Sequence, residues 1–252
     1  MLKLFRNIRQ NLLKEGKTSK YFKYAIGEIV LVVIGILIAL QINNWNQDRI
    51  EHKQTKTLLS NLKLDVEANI NNLKDQQSFL RHRKEWADFI LKSLDEKKVT
   101  DSTMFITAIT RVGWIIDYSQ TFPTYNEIVS SGKLSYIKSE NLKKELANYQ
   151  TEVENYRQIV SSYNIGLKET ERLAIGYLNG MPEGSNLINP NSARLYKGLS
   201  FNLNKIAEDT EFFKNVKHIS FYTSVNIDFI SSLLITKAEK LKNLIADELK
   251  TY

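Results

Sequence analysis

Residues 142–177 read LKKELANYQTEVENYRQIVSSYNIGLKETERLAIGY. Within them Leu142, Leu146, Tyr149, Val153, Tyr156, Val160, Tyr163, Leu167, Thr170, Ala174 and Tyr177 follow one another in alternating steps of four and three. That spacing draws one apolar seam along an α-helix, the heptad pattern of a coiled coil. Tyr149, Tyr156, Tyr163 and Tyr177 share a register in which the rings pack and the hydroxyls reach toward a rim. An aromatic ligand groove would use the same residues, but a tyrosine stripe at this spacing reads first as core. Ser139 stands where an N-cap belongs.

One such helix cannot bury its own seam, so partners are expected on either side. Downstream, Phe212, Val216, Ile219, Ile227, Ile230, Leu234, Ala238, Leu241 and Ile245 predict a third long helix over about 209–249. Upstream, neither glycine nor proline occurs between Gly35 and Gly113, so nothing there forces a helix to stop. Leu59, Leu62, Val66, Ile70, Leu73, Phe79 or Leu80, Trp86, Ile90 and Leu94 recur at helical spacing. Shorter pieces lie between: a helix capped by Asp101 or Ser102, the apolar Val112 to Ile116, and a short helix from Pro123 to Gly132. Gly180, Pro182, Gly184 and Pro190 mark a loop at about 179–192, followed by a short helix near Ser192 to Leu199. The fold class is all-α, an antiparallel bundle of three long helices plus short ones.

Ahead of the bundle, Ile29 to Leu40 reads IVLVVIGILIAL without a polar residue. Twelve helical residues cover only ~18 Å of a ~30 Å hydrocarbon layer, so the flanks must contribute. Extended over 24–43 the segment reaches that thickness, with Tyr21, Phe22 and Tyr24 at one edge and Trp45 at the other as an aromatic belt. Ala39-Leu40-Gln41 lacks the paired small residues of a peptidase site, so the reading is an uncleaved signal anchor. Four segments result: a basic cytoplasmic or interfacial stretch 1–23, a transmembrane helix 24–43, a polar helical stalk 44–57, and an extracytoplasmic helical domain 58–252. Met1, Phe5, Ile8 and Leu12 suit either a short helix in the headgroup layer or a flexible basic tail.

The charge supports this layout. Of the net +7, six belong to residues 1–24, where seven Lys and Arg face Glu15 alone. A nearly neutral remainder has no footprint for a phosphate backbone, so nucleic acid is not an expected partner. Basic residues are retained in the cytoplasm, which predicts the N-terminus inside and the C-terminal domain outside, in the periplasm of a bacterial inner membrane. The chain has no cysteine, and hence no disulfide, thiolate metal site or cysteine nucleophile.

The stretch GKTSKYFKYAIGEIVLVVIGILIALQINNWN, Gly16 to Asn46, is preceded by FRNIRQNLL, and TFPTYNEIVSSGKLSYIKSENL occupies Thr121 to Leu142. Together these resemble a family of uncharacterised bacterial single-span membrane proteins, a domain of unknown function. The resemblance implies the topology and brings no activity with it.

Chemical motifs are scarce. His52, His82 and His218 are far apart, and no HExxH, GxGxxG or GxxxxGK[ST] pattern occurs. The expectation is a protein that is not an enzyme and takes no cofactor. Arg81, His82, Arg83, Lys84 and Glu85 read as a solvated helix face, with anion binding as the alternative. Glu28 breaks the local rule by placing a carboxyl inside the apolar segment, where it either snorkels toward Lys20 or Lys23 or faces a partner helix. Gly35 and Ala39 form a small-xxx-small pair suited to helix association. Tyr125, Asn126 and Glu127 sit at a Pro-started turn that serves as either a functional surface or a packing hinge. The leading expectation is a membrane-anchored bundle acting through protein contacts. Its partners would be the lipid bilayer and an envelope protein or further copies of itself. The alternatives are an ion-motive-force accessory subunit using Glu28 and an extracytoplasmic sensor with a ligand cavity.

Overall fold

A computed structural model describes residues 18–115, 120–180 and 198–252. The N-terminal pattern from Met1 to Leu12, Ile116, and nearly all of the expected 179–192 loop and following short helix lie outside them. The protein is all-α, with two paired two-residue strands among the described residues. Helix α1 (Thr18–Asp95) is followed by α2 (Ser102–Arg111), α3 (Pro123–Ser130), a 3-10 turn (Lys133–Tyr136) and α4 (Glu140–Ile175). After the strands β1 (Leu178–Asn179) and β2 (Ser200–Phe201) come α5 (Leu203–Ala207), α6 (Thr210–Phe229), a π-helical turn (Ile230–Ile235) and α7 (Thr236–Leu249). The chain divides into two compact units, one ending at Thr57 and including Tyr252, the other Leu58–Thr251.

In the first unit the apolar side chains from Ile29 to Leu40 are 47–63% exposed. Beyond them the polar stretch stays helical through its own side chains. Gln47 Nε2 donates to Glu51 Oε1 at 3.1 Å and Arg49 Nη2 to Asn46 Oδ1 at 3.1 Å, at the three- and four-residue spacings that face each other on a helix.

The second unit is a bundle whose members alternate in direction. α4 and the α6–α7 rod run antiparallel: Glu145 pairs with Lys240 at 2.9 Å, Glu152 with Lys237 at 2.7 Å, and the rings of Tyr156 and Phe229 stack at 5.4 Å. α1 and α4 run the same way, with Gln76 bonded to Tyr156 and Arg83 to Tyr163. The segment from α2 to the 3-10 turn returns between them, so the order is up, down, up, down, with the second member broken into short pieces. Gly113 explains how that return passes close to α4. A Cβ there would stand 2.7 Å from the Glu171 backbone nitrogen and the Leu167 carbonyl oxygen, a gap that only glycine fits. Gly180, at φ +100°, is needed for a similar reason beside β1, where a Cβ would meet the Gly198 carbonyl oxygen at 2.4 Å.

The seam of α4 is as its spacing predicts from Leu142 to Tyr156 and again at Leu167, Thr170 and Ala174, all buried. Val160 and Tyr163 are half-buried, and Tyr177 lies past the helix end. Ser139 caps the helix by accepting from Leu142 N at 3.1 Å. Asp101, rather than Ser102, caps α2, accepting from Met104 N at 2.9 Å.

The third long rod departs from its sequence reading in the middle. Ile227 is only half-buried, and the inward positions are Thr223 and Asn226. Its buried row is Phe212, Val216, Ile219, Thr223, Asn226, Ile230, Leu234, Ala238, Leu241, Ile245 and Glu248. The steps alternate four and three at both ends, but from Asn226 to Ala238 they are four, four and four. Twelve residues stand where a regular seam needs eleven, and the π turn absorbs the extra one within one wider turn. Ser231 and Thr236 favour that distortion by donating back to the Ile227 and Ser231 carbonyls at 2.6 and 3.1 Å.

Candidate functional site

Glu28, Gly35 and Ala39 fall seven and four residues apart on α1, hence on one helical face. Glu28 is half-buried, Gly35 and Ala39 are exposed, and a Cβ on Gly35 would meet no atom within 4 Å. They belong to the first unit, whereas Tyr125, Asn126 and Glu127 belong to the second.

The segment holding Tyr125 is a packing element. Pro123 starts α3, but Phe122, at the N-cap, offers no side-chain acceptor. The cap comes from another helix: Asp65 Oδ2 on α1 accepts from Thr124 N at 2.9 Å, and one turn on Asn69 Nδ2 donates to the Thr121 carbonyl at 3.0 Å. Phe122 is buried edge-on against Tyr149 at 5.7 Å, and Tyr125 stacks on Phe122 at 5.4 Å. Asn126 and Glu127 remain exposed. Asp65 and Asn69 thus clip the return segment to α1.

Asn69 belongs to a larger feature that the sequence reading passed over. The α1 seam runs Leu59, Leu62, Val66, Asn69, Leu73, Gln76, Leu80, Arg83, Ala87, Ile90 and Leu94, all buried. Three polar side chains therefore recur every seven residues in one register. Opposite them stand Tyr149, Tyr156 and Tyr163 of α4, also every seven residues, and Thr223 and Asn226 of α6. Gln76 Nε2 donates to Tyr156 Oη at 2.9 Å, and the Tyr163 hydroxyl lies 3.2 Å from Thr223 Oγ1. Burial pushes the phenols of Tyr149 and Tyr156 well above the ordinary tyrosine range and raises Tyr163 as well. These are neutral hydrogen-bonding groups rather than nucleophiles.

Arg83 corrects the reading of 81–85 as a solvated face. Arg81, His82 and Glu85 are exposed, but Arg83 points inward. Its Nη2 donates to the Trp114 carbonyl, and its guanidinium lies over the Phe79 ring at 4.9 Å. Among the described residues the buried Gln76 Oε1 atom has no hydrogen-bond partner, and Gln76 lines a cavity of about 20 Å³, room for one water. In a seam, polar groups that match only one another set register between helices.

A larger hollow opens between α4 and α6. It measures about 110 Å³ and is lined by Ser162, Tyr163, Gly166, Thr170, Asn215, His218 and Ile219. Tyr163 divides it from the smaller cavity. Gly166 sits inside the 36-residue α4 with ordinary helical φ, where glycine costs about 1 kcal/mol relative to alanine. Gly166 is exposed, and among the described residues nothing packs within 4 Å of the place its Cβ would take, so close packing does not demand it. Among the described residues no group of three His, Cys, Asp or Glu could hold a metal ion.

Among the described residues two helices are long and apolar enough to cross a membrane, by length and composition. In the first, from Ala25, the apolar window has a mean hydropathy of 2.6 and none of it is buried. In the second, Thr210–Leu249, the window has 1.2 and 33% of it is buried. Neither a curated protein nor a solved structure matches the chain. A family profile covers residues 28–179, from Glu28 through the clip and the whole of α4 to β1. By that match over more than half its length, the chain belongs to the Family of unknown function (DUF6090).

Proposed function

We propose that this protein is a membrane-anchored helical bundle that acts through protein association rather than catalysis, as an envelope scaffold or a subunit of a complex. The observation that carries the reading is the bare apolar stretch of α1. Ten aliphatic side chains between Ile29 and Leu40 stand open. Leaving a Val, Leu or Ile exposed forgoes roughly 1.5–3 kcal/mol each. Ten of them forgo more than the ~5–15 kcal/mol that holds a typical domain together, so the stretch calls for lipid around it. The α6–α7 rod, by contrast, turns Ile219, Ile230 and Leu234 into the core of the second unit and is read as a bundle helix. The excess of Lys and Arg before the span favours an inside N-terminus and a periplasmic domain in a bacterial inner membrane. Gly35 and Ala39 favour association within the bilayer, either with a further copy or with another envelope protein.

Extraction in mild detergent followed by cross-linking and mass spectrometry tests the association. Recurrent cross-links to one partner or to a second copy are expected, and a strictly monomeric, partner-free protein overturns the reading. Resistance to alkaline carbonate extraction tests the anchor, and release into the supernatant refutes it.

A further inference from the structure

The outer face of α4 carries a second seam, opposite in character to the buried one. Asn148, Thr151, Asn155, Gln158, Ser162 and Ile165 follow one another in alternating steps of three and four, and all are exposed. None is charged, although protein surfaces are roughly 25–35% charged and such a row would ordinarily hold about two charges. Charge returns along the same line only at its ends, with Lys144 before Asn148 and with Glu169 and Arg172 after Ile165. The Thr151 and Ser162 hydroxyls turn back on α4 itself, donating to the Ala147 and Gln158 carbonyls at 3.0 and 3.2 Å. The amides of Asn148, Asn155 and Gln158 make no hydrogen bond among the described residues. Ile165 stands 74% open.

The spacing is that of a coiled-coil face, and the missing charge says which partner fits it. When two identical helices pack in parallel about a two-fold axis, each seam residue meets its own counterpart. A charged residue would then oppose a like charge, whereas paired Asn or Gln amides each donate and accept. Asn at such a position fixes the register and number of strands. The edges of the seam agree: across a parallel pair Glu154 meets Ile159 and Ser161 meets Gly166, so no like charges are opposed there. Two copies entering one bilayer by α1 are parallel, and α4 runs the same way as α1. Six seam residues per copy are fewer than the roughly 20–30 a side of a free-standing complex, so the shared membrane supplies the remainder as effective concentration. We infer that the outer face of α4 is a self-association surface, covered by the same face of a second copy in parallel. This rests on the reading of the protein as membrane-anchored and associating.

The chain has no cysteine, so introduced cysteines report without interference. A disulfide needs Cα atoms within about 7 Å. Full-length protein carrying Asn155→Cys, Gln158→Cys or Ser162→Cys, reconstituted in phosphatidylcholine vesicles and oxidised, is expected to form linked dimers. Arg157→Cys and Lys168→Cys, exposed on the flanks of the same helix, are not. Adding Asn155→Lys or Asn155→Glu to Ser162→Cys should slow its cross-linking roughly 10-fold, because like charges then meet. Reconstituting the Lys and Glu variants together should restore it, and both should keep the melting temperature of Ser162→Cys because residue 155 is exposed. The inference is overturned by equal cross-linking at all five positions, by cross-linking at none, or by a mixture no faster than either variant alone. Ala39→Cys reads association within the span separately. If it cross-links while the α4 cysteines do not, the α4 surface alone falls, and if neither does, self-association falls altogether.

Discussion

Deleting Ser232 should leave the bundle folded, although removing one residue from a packed helix is ordinarily ruinous. Every residue removed rotates the rest of a helix by about 100° relative to its partners. From Asn226 to Ala238 the α6–α7 rod carries one residue more than a regular seam needs, held in the Ile230–Ile235 π turn. Removing the exposed Ser232 lets that turn become α-helical and keeps Ile230, Leu234, Ala238, Leu241 and Ile245 inward. The same operation on the exposed Asn148 has no such slack to consume. It turns Tyr149, Val153, Tyr156 and Leu167 out of the core, at roughly 1.5–3 kcal/mol each. The sum, roughly 6–12 kcal/mol, is comparable to the whole ~5–15 kcal/mol of a folded domain. Circular dichroism of the full-length protein in detergent distinguishes the two. The Ser232 deletion should keep its helicity and melt within about 5 °C of wild type, a change on the order of 1–2 kcal/mol at this size. The Asn148 deletion should lose its cooperative transition. If the Ser232 deletion unfolds as the Asn148 deletion does, the seam count is wrong and the π turn is no register correction.

Three further outcomes follow from particular contacts. Gln76→Leu leaves the Tyr156 hydroxyl buried without its 2.9 Å donor and should cost about 1–3 kcal/mol, whereas Gln76→Leu with Tyr156→Phe should recover most of it. Additive losses in denaturant melts would contradict a coupled pair. Glu248 is buried at the end of α7, and its Oε1 accepts from Lys138 N at 2.7 Å and Ser139 N at 3.3 Å at the start of α4. Glu248→Ala should destabilise by about 1–3 kcal/mol in urea titration, and an unchanged midpoint would deny that clamp its role. Tyr149 and Tyr156 hold their protons more tightly when folded than the ordinary value of 10.0. Above that pH the unfolded chain binds fewer protons than the native one, so stability is fully present below it and falls as pH rises through it. Each tyrosine contributes a slope of about 1.4 kcal/mol per pH unit. Melting temperatures from pH 8 to 11 should drop, less steeply in Tyr149→Phe and Tyr156→Phe, and a flat profile would refute the assignment.

Regular burial and local caps were legible in the amino-acid order, because both depend on residues within a turn or two of one another. The α4 seam, the Ser139 cap, the Pro123 start and the unbroken run of α1 are of this kind. So is the apolar stretch from Ile29 to Leu40. Hydrophobic spacing also identified Leu59, Leu62, Val66, Leu73, Ile90 and Leu94. It passed over Asn69, Gln76 and Arg83, which occupy the same seam. A polar side chain is buried only when a distant segment supplies its partner, here Thr121, Tyr156 and Trp114. For the same reason Thr223 and Asn226 could not be told from Ile227 until the π turn had set their register. Gly113 and Gly166 look alike in the chain. One is demanded by the backbone of α4 beside it, and the other stands exposed with nothing packed against it, a distinction that exists only once α4 has neighbours.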